Sequence, residues 1–548
     1  MADSPTRRGI LQASAATLLA PNLRAASEPG ILNPAAPPTF VTLFAESGTH
    51  PLARNGNKWQ TGNIEVTTQP STQALTVKLH SPNDNPIRLH LRWSMSVPTR
   101  LHFLGDAWER SYGDLAFRNM EPERILPWYA LATDGHLTHA FGVNTGPAAL
   151  CFWQIDPEGI SLWCDLRNGG RAVQLASREL QVAEVIAQSY SGQTPFHAAK
   201  HFCGLLCSNP RLPKSPIYGG NNWYYAYGHS SASDILQDSE RIASVSESNT
   251  NRPWMVIDDG WAPNDTAGPW RTGNSRFQDM PKLASDMLKT GVRPGIWMRP
   301  LFTRDPISES SQLRPFTLDP TDPQVASLIE EDLRTVISWG YQLVKHDFST
   351  FDLLGRWGFQ MNAEITDAKW NFRDRTRTNA EVIRDFYLLL RKAAGETPLL
   401  GCNTIGHLAA GIFEAQRTGD DTSGRDWNRT RKMGVNTLAF RLPQHSTFFA
   451  IDADCVGLTK QIDWSLNRQW LDLLAHSGSP LFVSIAPDAL GTEQKAAVRE
   501  AFALASQPRR VAEPLDWLTN NQPQQWSAQG KQLSYNWFGK EGVSPFAG

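Results

Sequence analysis

The chain is poor in cysteine, with six among 548 residues: Cys151, Cys164, Cys203, Cys207, Cys402 and Cys455. None makes a C-x-x-C pair, which removes the common zinc and dithiol motifs. Cys203 and Cys207 are four apart, the spacing of two small residues on one helix face. A chain of this length needs no disulfide framework. Charge of one sign is also lacking: 52 Lys and Arg against 54 Asp and Glu leave a net charge of −2, with no basic run. Nucleic acid and anionic membrane surfaces are therefore not expected partners. No run of 18 apolar residues is present to cross a bilayer, so membrane insertion is not expected either. The G-x-G-x-x-G loop of a doubly wound nucleotide-binding sheet is missing, as is any triad of metal-ligating side chains. No cofactor and no metal are expected.

Tryptophan, by contrast, is abundant, with twenty residues. They serve either a large aromatic core or sugar recognition, because an indole face packs well against the apolar C–H face of a pyranose. The N-terminus reads "MADSPTRRGILQASAATLLAPNLRAAS". Arg7 and Arg8 precede a short, weakly hydrophobic run from Gly9 to Ala20, and small residues follow at Ala25 to Ser27. This resembles a twin-arginine export signal over residues 1–29 and implies a periplasmic or secreted protein.

From residue 30 to residue 207 the pattern is that of an antiparallel β-sandwich. "ALTVKLHS" and "RLHLRWSMSV" alternate with period two, and no long amphipathic helix interrupts before about Pro195. A Pro- and Ser-rich linker occupies 208–215. Over residues 216–508, eight short apolar runs alternate with helix-period segments: "PIYGGNNW", "PWMVIDDGW", "RPGIWMRP", "YQLVKHDF", "PLLGCNTIG", "FEAQRTGDD", "TFFAIDADC" and "SPLFVSIA". Three of the helical segments close on Gly291, Gly340 and Gly395, as helix C-termini often do. Eight β/α units predict a parallel (β/α)8 TIM-type barrel. Residues 509–548 form a short C-terminal β segment.

Barrels of this type carry their chemistry at the C-terminal ends of the strands. Those ends supply Trp223, Asp258 and Asp259, Trp297, Lys345 and Asp347, Cys402 and Asn403, and Arg417 with Asp420 and Asp421. Carboxylates close at least three strands, and charged groups are seldom buried unless paired or used. Lys345 and Asp347 are two apart and share a face; His346 points the other way, toward the helices. A lysine beside Asp347 favours its carboxylate form, the form a nucleophile must have. A second acid on a later strand can protonate a leaving group. Two carboxyl groups facing each other across a bond are the apparatus of glycoside hydrolysis.

Taken in order and spacing, "NNWYYAYG", "VIDDGW", "GVRPGIW" and "LVKHDF" resemble glycoside hydrolase clan D, and the β region ahead of the barrel resembles family 36 more than family 27. The resemblance covers about Tyr218 to Pro487. It implies a retaining, exo-acting α-galactosidase-like hydrolase. Asp347 matches the nucleophile of the clan's K-x-D strand, and Lys345 its sugar-contacting lysine. Asp258 and Asp259 match the aspartates that bind sugar hydroxyls, and Trp223 the aromatic residue lining the pocket. "RTGDD" resembles the sixth-strand segment, which makes Arg417 a sugar contact and Asp420 the acid/base, with Asp421 the alternative. Trp297, Cys402 and Asn403 complete the expected substrate-binding set. Two departures stand out. "CNTIGHLAAG" lacks the glycine-rich R-x-D continuation, and the third strand ends in Arg299, where an acidic residue is common. An arginine at the rim would favour a charged or unusual sugar. An oligosaccharide or glycoside is the expected partner. A transglycosidase of raffinose-synthase type shares the mechanism. A degenerate sugar-binding barrel would lack the nucleophile or the acid, and candidates for both are present.

Overall fold

In the N-terminal half, hydrophobic alternation sets the strands. Along Ala74–His80, Leu75, Val77 and Leu79 are buried while the residues between them are half-exposed. Thirteen strands lie between Phe40 and Ser191, several of them alternating in this way, and all their recorded pairings are antiparallel. The computed structural model describes residues 32–540 and 542, apart from residue 265. The export-signal reading therefore lies outside the described residues.

The thirteen strands are hydrogen-bonded into one continuous sheet, where two stacked sheets were expected. The joint is the eight-residue strand Gly48–Asn55. Residues 48–52 pair with Phe40–Ala45, and residues 53–55 pair with Lys58–Thr61. A strand longer than either partner carries the hydrogen bonding from one half to the other. Trp59, Trp128 and Trp153 are fully buried here, so much of the tryptophan content serves packing.

After the helix Pro195–Leu206, the chain builds a parallel sheet. Its first six strands are Tyr218–Asn221, Trp254–Ile257, Arg293–Met298, Leu343–His346, Leu399–Gly401 and Ala415–Arg417, paired in that order. Leu481–Ile485, the last strand, pairs with the first. The seventh is delivered in two segments. Ala450–Asp452 bonds to the sixth strand and Cys455–Leu458 to the last, with Asp454 between them in the left-handed region at φ 73°. The strands are buried almost throughout, as a parallel sheet covered by helices must be. The covering helices start on side-chain caps. Ser231 and Thr378 form capping boxes with Asp234 and Glu381, and Asp279 and Asp322 cap the two helices between. Gly291 and Gly340 take positive φ just past two of these helices, a conformation that favours glycine. A small three-stranded sheet, Glu513–Pro514, Gln525–Ala528 and Lys531–Ser534, ends the described chain. Among the described residues, no helix is long and apolar enough to cross a membrane.

One segment of the antiparallel layer, Asp106–Tyr112, runs onto the C-terminal end of the parallel sheet. The Ser111 N–H donates to the Thr418 carbonyl, and the Asp420 N–H to the Ser111 carbonyl, both at 2.9 Å. Beneath it, Arg441 pairs with Asp106 at 2.9 Å, and each side chain is only 2 % exposed. Arg441 also donates to the carbonyls of Glu109 and Thr418 at 2.6 and 3.0 Å.

Removing one partner of a buried ion pair leaves an uncompensated buried charge, which costs about 3–5 kcal/mol. Asp106→Ala should therefore lower the urea midpoint sharply. Glu65→Ala breaks the Lys58–Glu65 pair, whose side chains are 55 % and 33 % exposed, and should cost about 1 kcal/mol or less. Equal midpoints for the two variants would show that the Arg441 junction does not hold the layers together.

Candidate active site

A cavity of about 310 Å3 opens at the C-terminal ends of the parallel strands. Eight of the residues read from the sequence line it: Trp223, Asp258, Asp259, Trp297, Lys345, Asp347, Asp420 and Asp421. Cys402, Asn403 and Arg417 do not. They sit directly behind the wall, each almost fully buried. A larger space of about 550 Å3 lies where the strands begin, beneath the linker. Its acids, Glu396 and Glu414, are already taken by Lys214, Arg211 and Arg391.

Asp347 follows the fourth strand, and the chain turns sharply after it through Phe348 at φ 65°. Its Oδ1 accepts the backbone N–H groups of Phe348 and Asn403 at 2.7 and 3.1 Å, and its Oδ2 accepts Trp297 Nε1–H at 3.0 Å. Burial pushes this carboxyl up, but Arg110 foremost, then Lys345 and the hydrogen bonds, outweigh it and hold the group below the usual carboxylate range. The sequence reading gave this task to Lys345 alone. Lys345 Nζ in fact donates to Asp258 Oδ2 at 2.6 Å, sharing that oxygen with the Asn221 amide, also at 2.6 Å. Against its burial, Asp258 keeps Lys345 protonated far above the ordinary lysine range. The backbone N–H of Asp259 donates to Asp258, and that of Gly260 to Asp259, so the "DDGW" turn fixes both carboxylates.

The two sixth-strand acids differ in surroundings. Asp420 is held on both oxygens, by Arg110 at 3.1 Å and Arg429 at 2.6 Å. Asp421 meets Arg417 at 3.0 Å and Arg110 at 3.7 Å through one oxygen. Its side chain keeps 38 % of its surface accessible where it lines the open cavity, against 18 % for Asp420. Burial raises its carboxyl above the usual range, with Asp454 and Asp420 pushing the same way and Arg417 and Arg110 opposing. Behind it, Arg417 also pairs with Asp454 at 2.9 Å and donates to Cys402 Sγ at 3.7 Å. Asp454, on the seventh-strand break, further accepts from Tyr224 and Thr422.

Arg299 is not at the rim. It forms a two-point pair with Asp352 at 2.9 and 2.5 Å, with Phe302 and Phe348 at 4.0 and 4.2 Å from its guanidinium carbon. It supports the Phe348 turn, so the case for a charged sugar loses its basis. His346 is equally structural, packed among Phe386, Tyr387 and Phe413 and kept neutral by burial at about 3.

Sequence reasoning missed Glu109, Arg110 and Tyr112 of the antiparallel layer, and Trp357 and Phe359 after the fourth strand. Arg110, Tyr112, Trp357 and Phe359 line the cavity. Glu109 is fully buried behind it and accepts from the Asn403 amide, so it braces the residue whose backbone holds Asp347. "DAWERSYGD" sits in a loop without period, and only its two adjacent charges between aromatics hinted at a buried role. Among the described residues, no group of three or more His, Cys, Asp or Glu side chains is placed to hold a metal ion.

The sequence matches no family model and no curated protein. Its structure is similar to TtGalA, an α-galactosidase of Thermus thermophilus, with a TM-score of 0.59 at 16 % identity, covering 91 % of this chain and 99 % of that one. It is also similar to two family 36 α-galactosidases of Geobacillus stearothermophilus. A point variant of AgaA gives 0.58 at 15 % identity, covering 89 % of this chain and 78 % of that one. AgaB gives 0.55 at 13 % identity, covering 85 % and 74 %. The shared property at these identities is the fold, and it is α-galactosidase-like.

If Arg110 holds Asp347 ionised, Arg110→Ala should move the Asp347 carboxyl titration to higher pH in 13C NMR, while Arg110→Lys should leave it near its original position. An unmoved titration in Arg110→Ala would assign the effect to Lys345 and the three hydrogen bonds alone.

Proposed function

We propose that the chain is a retaining, exo-acting glycoside hydrolase that removes terminal α-galactosyl, or closely related α-glycosyl, residues through an aspartyl glycosyl-enzyme intermediate. The observation that carries this is the opposed electrostatics of two carboxyl groups on one cavity. Asp347 is pushed toward ionisation and Asp421 toward protonation, the division of labour between a nucleophile and an acid. The fold supports the substrate class. TtGalA is known in complexes with p-nitrophenyl α-D-galactopyranoside and stachyose, and an AgaA variant with raffinose. We read the nine parallel segments as a (β/α)8 barrel closed through the split seventh strand, the thirteen antiparallel strands as a folded-over sandwich, and the N-terminus as a twin-arginine export signal.

In this reading Asp347 attacks the anomeric carbon while the acid protonates the departing oxygen; water then displaces Asp347, with the same acid now acting as base. Asp421 suits that role better than Asp420. Asp420 is bonded to an arginine through each oxygen, whereas Asp421 meets its arginines through one oxygen, lines the cavity and has its carboxyl raised by burial. Lys345, Asp258 and Asp259 are placed to bind sugar hydroxyls. Behind them Arg417 and Asp454 are paired and almost fully buried, and the exo action follows the family resemblance.

The rate should fall at low pH, where Asp347 gains a proton, and at high pH, where Asp421 loses one. A panel of aryl α-glycosides differing only in the sugar identifies the glycone; no turnover of any member sinks the proposal. With an activated aryl glycoside, Asp421→Ala should stall as a covalent intermediate, and azide should restart it with retained configuration. Asp347→Gly should give the inverted azide. If Asp420→Ala stalls and Asp421→Ala does not, the acid is Asp420.

A further inference from the structure

One buried acid of the parallel sheet has no place in the scheme above. Asp452 ends the first segment of the seventh strand and is only 4 % exposed. In the strand register it stands directly beside Arg417, the last residue of the sixth strand. Parallel neighbours in register project their side chains to one face, one strand spacing apart. The two are nevertheless not bonded to each other. Arg417 Nη2 meets Asp421 at 3.0 Å and Asp454 at 2.9 Å. Asp452 Oδ1 accepts the backbone N–H of Asp454 at 2.9 Å, and its Oδ2 has no hydrogen-bond partner among the described residues. Arg417 Nε–H is likewise buried without one among them.

A small chamber lies between them. It measures about 10 Å3, room for one water, and its polar lining is Asp452, Arg417, Lys345, Asp454, Asn221 and Cys455. Lys345 lines this chamber and the active-site cavity alike. The charges facing Asp452 are therefore Arg417 from the sixth strand, Lys345 from the fourth and Asp454 from the seventh, while burial keeps the Cys455 thiol neutral. Burial pushes the Asp452 carboxyl up to about 6; Arg417 opposes the rise, Asp454 adds to it and Lys345 opposes it. Burial also pushes Asp454 up, but Arg417, Lys345 and its hydrogen bonds outweigh that and hold it below the usual range. Of these two acids, Asp452 is thus the one whose charge changes near neutral pH.

We propose that Asp452 is a positioning residue for the acid step: its carboxylate draws on the Arg417 guanidinium from within the parallel sheet and leaves Asp421 less tightly held, so that Asp421 keeps the proton it must deliver. The inference rests on the reading of Asp421 as the acid. A further negative charge in the same buried cluster disfavours ionisation of Asp421 directly. It also pulls the guanidinium away from the one Asp421 oxygen that Arg417 bonds. Both effects act in the same direction. The other groups facing Asp421 are Arg110, Asp420 and Asp454, with the Tyr224 hydroxyl kept neutral by burial. Asp347 is set apart from this coupling, because the foremost charge on it is Arg110.

The test follows the Asp421 and Asp347 carboxyls by 13C NMR, together with the pH profile of kcat/KM on methyl α-D-galactopyranoside, whose alcohol leaving group needs the proton. Asp452→Asn keeps the shape and removes the charge. In it the Asp421 titration and the alkaline limb of the profile should both move to lower pH, by about half a pH unit or more, while the Asp347 titration and the acid limb stay in place. Asp452→Ser should do the same and serves if the amide disturbs folding. A purely structural role would lower the rate and leave the Asp421 titration and both limbs where they are, and that result overturns the proposal. A moved Asp421 titration with an unmoved alkaline limb overturns it too, since the acid is then another group. A moved titration in a chain that turns over no glycoside overturns the hydrolase reading and leaves the coupling of Asp452 to Asp421 standing. Should neither variant fold, the wild-type chain decides: its Asp421 carbon should titrate in two steps, one of them that of Asp452, and a single step overturns the proposal.

Discussion

The site depends on one cation in a crowd of carboxylates. Arg110 stands among Asp347, Asp420 and Asp421, with Glu109 beside it at 3.5 Å and the Trp357 ring 5.8 Å from its guanidinium carbon. Several negative groups in one buried cavity would otherwise drive each other toward the protonated form. A guanidinium stays charged at any working pH and offers donors in several directions, so one arginine can face several carboxylates. Lys345, bonded to Asp258, adds a smaller charge effect at Asp347. The charge that matters most to Asp347 thus comes from outside the parallel sheet.

The rigidity of that arrangement is local and layered. Glu109 links the Asn403 amide, the Tyr112 hydroxyl and the Gly358 backbone, and Asn403 in turn holds Asp347. Arg417 holds Asp421 from below and is held by Asp454. Asp347 and Asp421 are thus each oriented by a group that is itself fixed by further polar contacts, the condition for geometry held to fractions of an ångström.

What the sequence disclosed follows from periodicity. The eight apolar runs all became parallel segments, and the strand ends they marked delivered Asp258, Asp259, Trp297, Lys345, Asp347, Asp420 and Asp421 to one cavity, because within and just beyond a strand the side-chain direction is set by counting. That rule stops where the strand stops. The sixth ends at Arg417, and over the three coil residues that follow, the alternation no longer says which of two adjacent aspartates faces inward. Arg110 and Tyr112 were invisible for a different reason. They lie more than 200 residues from Asp347 on an aperiodic loop, and long-range contacts, the Ser111–Gly419 bridge and the Arg441–Asp106 pair among them, bring them there. The split seventh strand was likewise unreadable, since "AIDADC" shows two acids but not the left-handed residue between its halves.

The backbone pairing of Ser111 with Thr418 and Asp420 also bears on modularity. Many two-layer chains can be read as a reusable scaffold plus an accessory, with the accessory free to be lost or exchanged over evolutionary time. Here the antiparallel layer supplies a wall and a charge to a cavity whose other residues lie on the parallel sheet. Recombination that separated the two would leave the strand-end carboxylates in place but deprive Asp347 of Arg110, the foremost charge that holds it ionised. A lineage that keeps Arg110 beside Asp347 must therefore inherit both layers together, and a side chain in place of Gly358, which would meet Glu109 Cγ at 2.3 Å, calls for a smaller residue at 109.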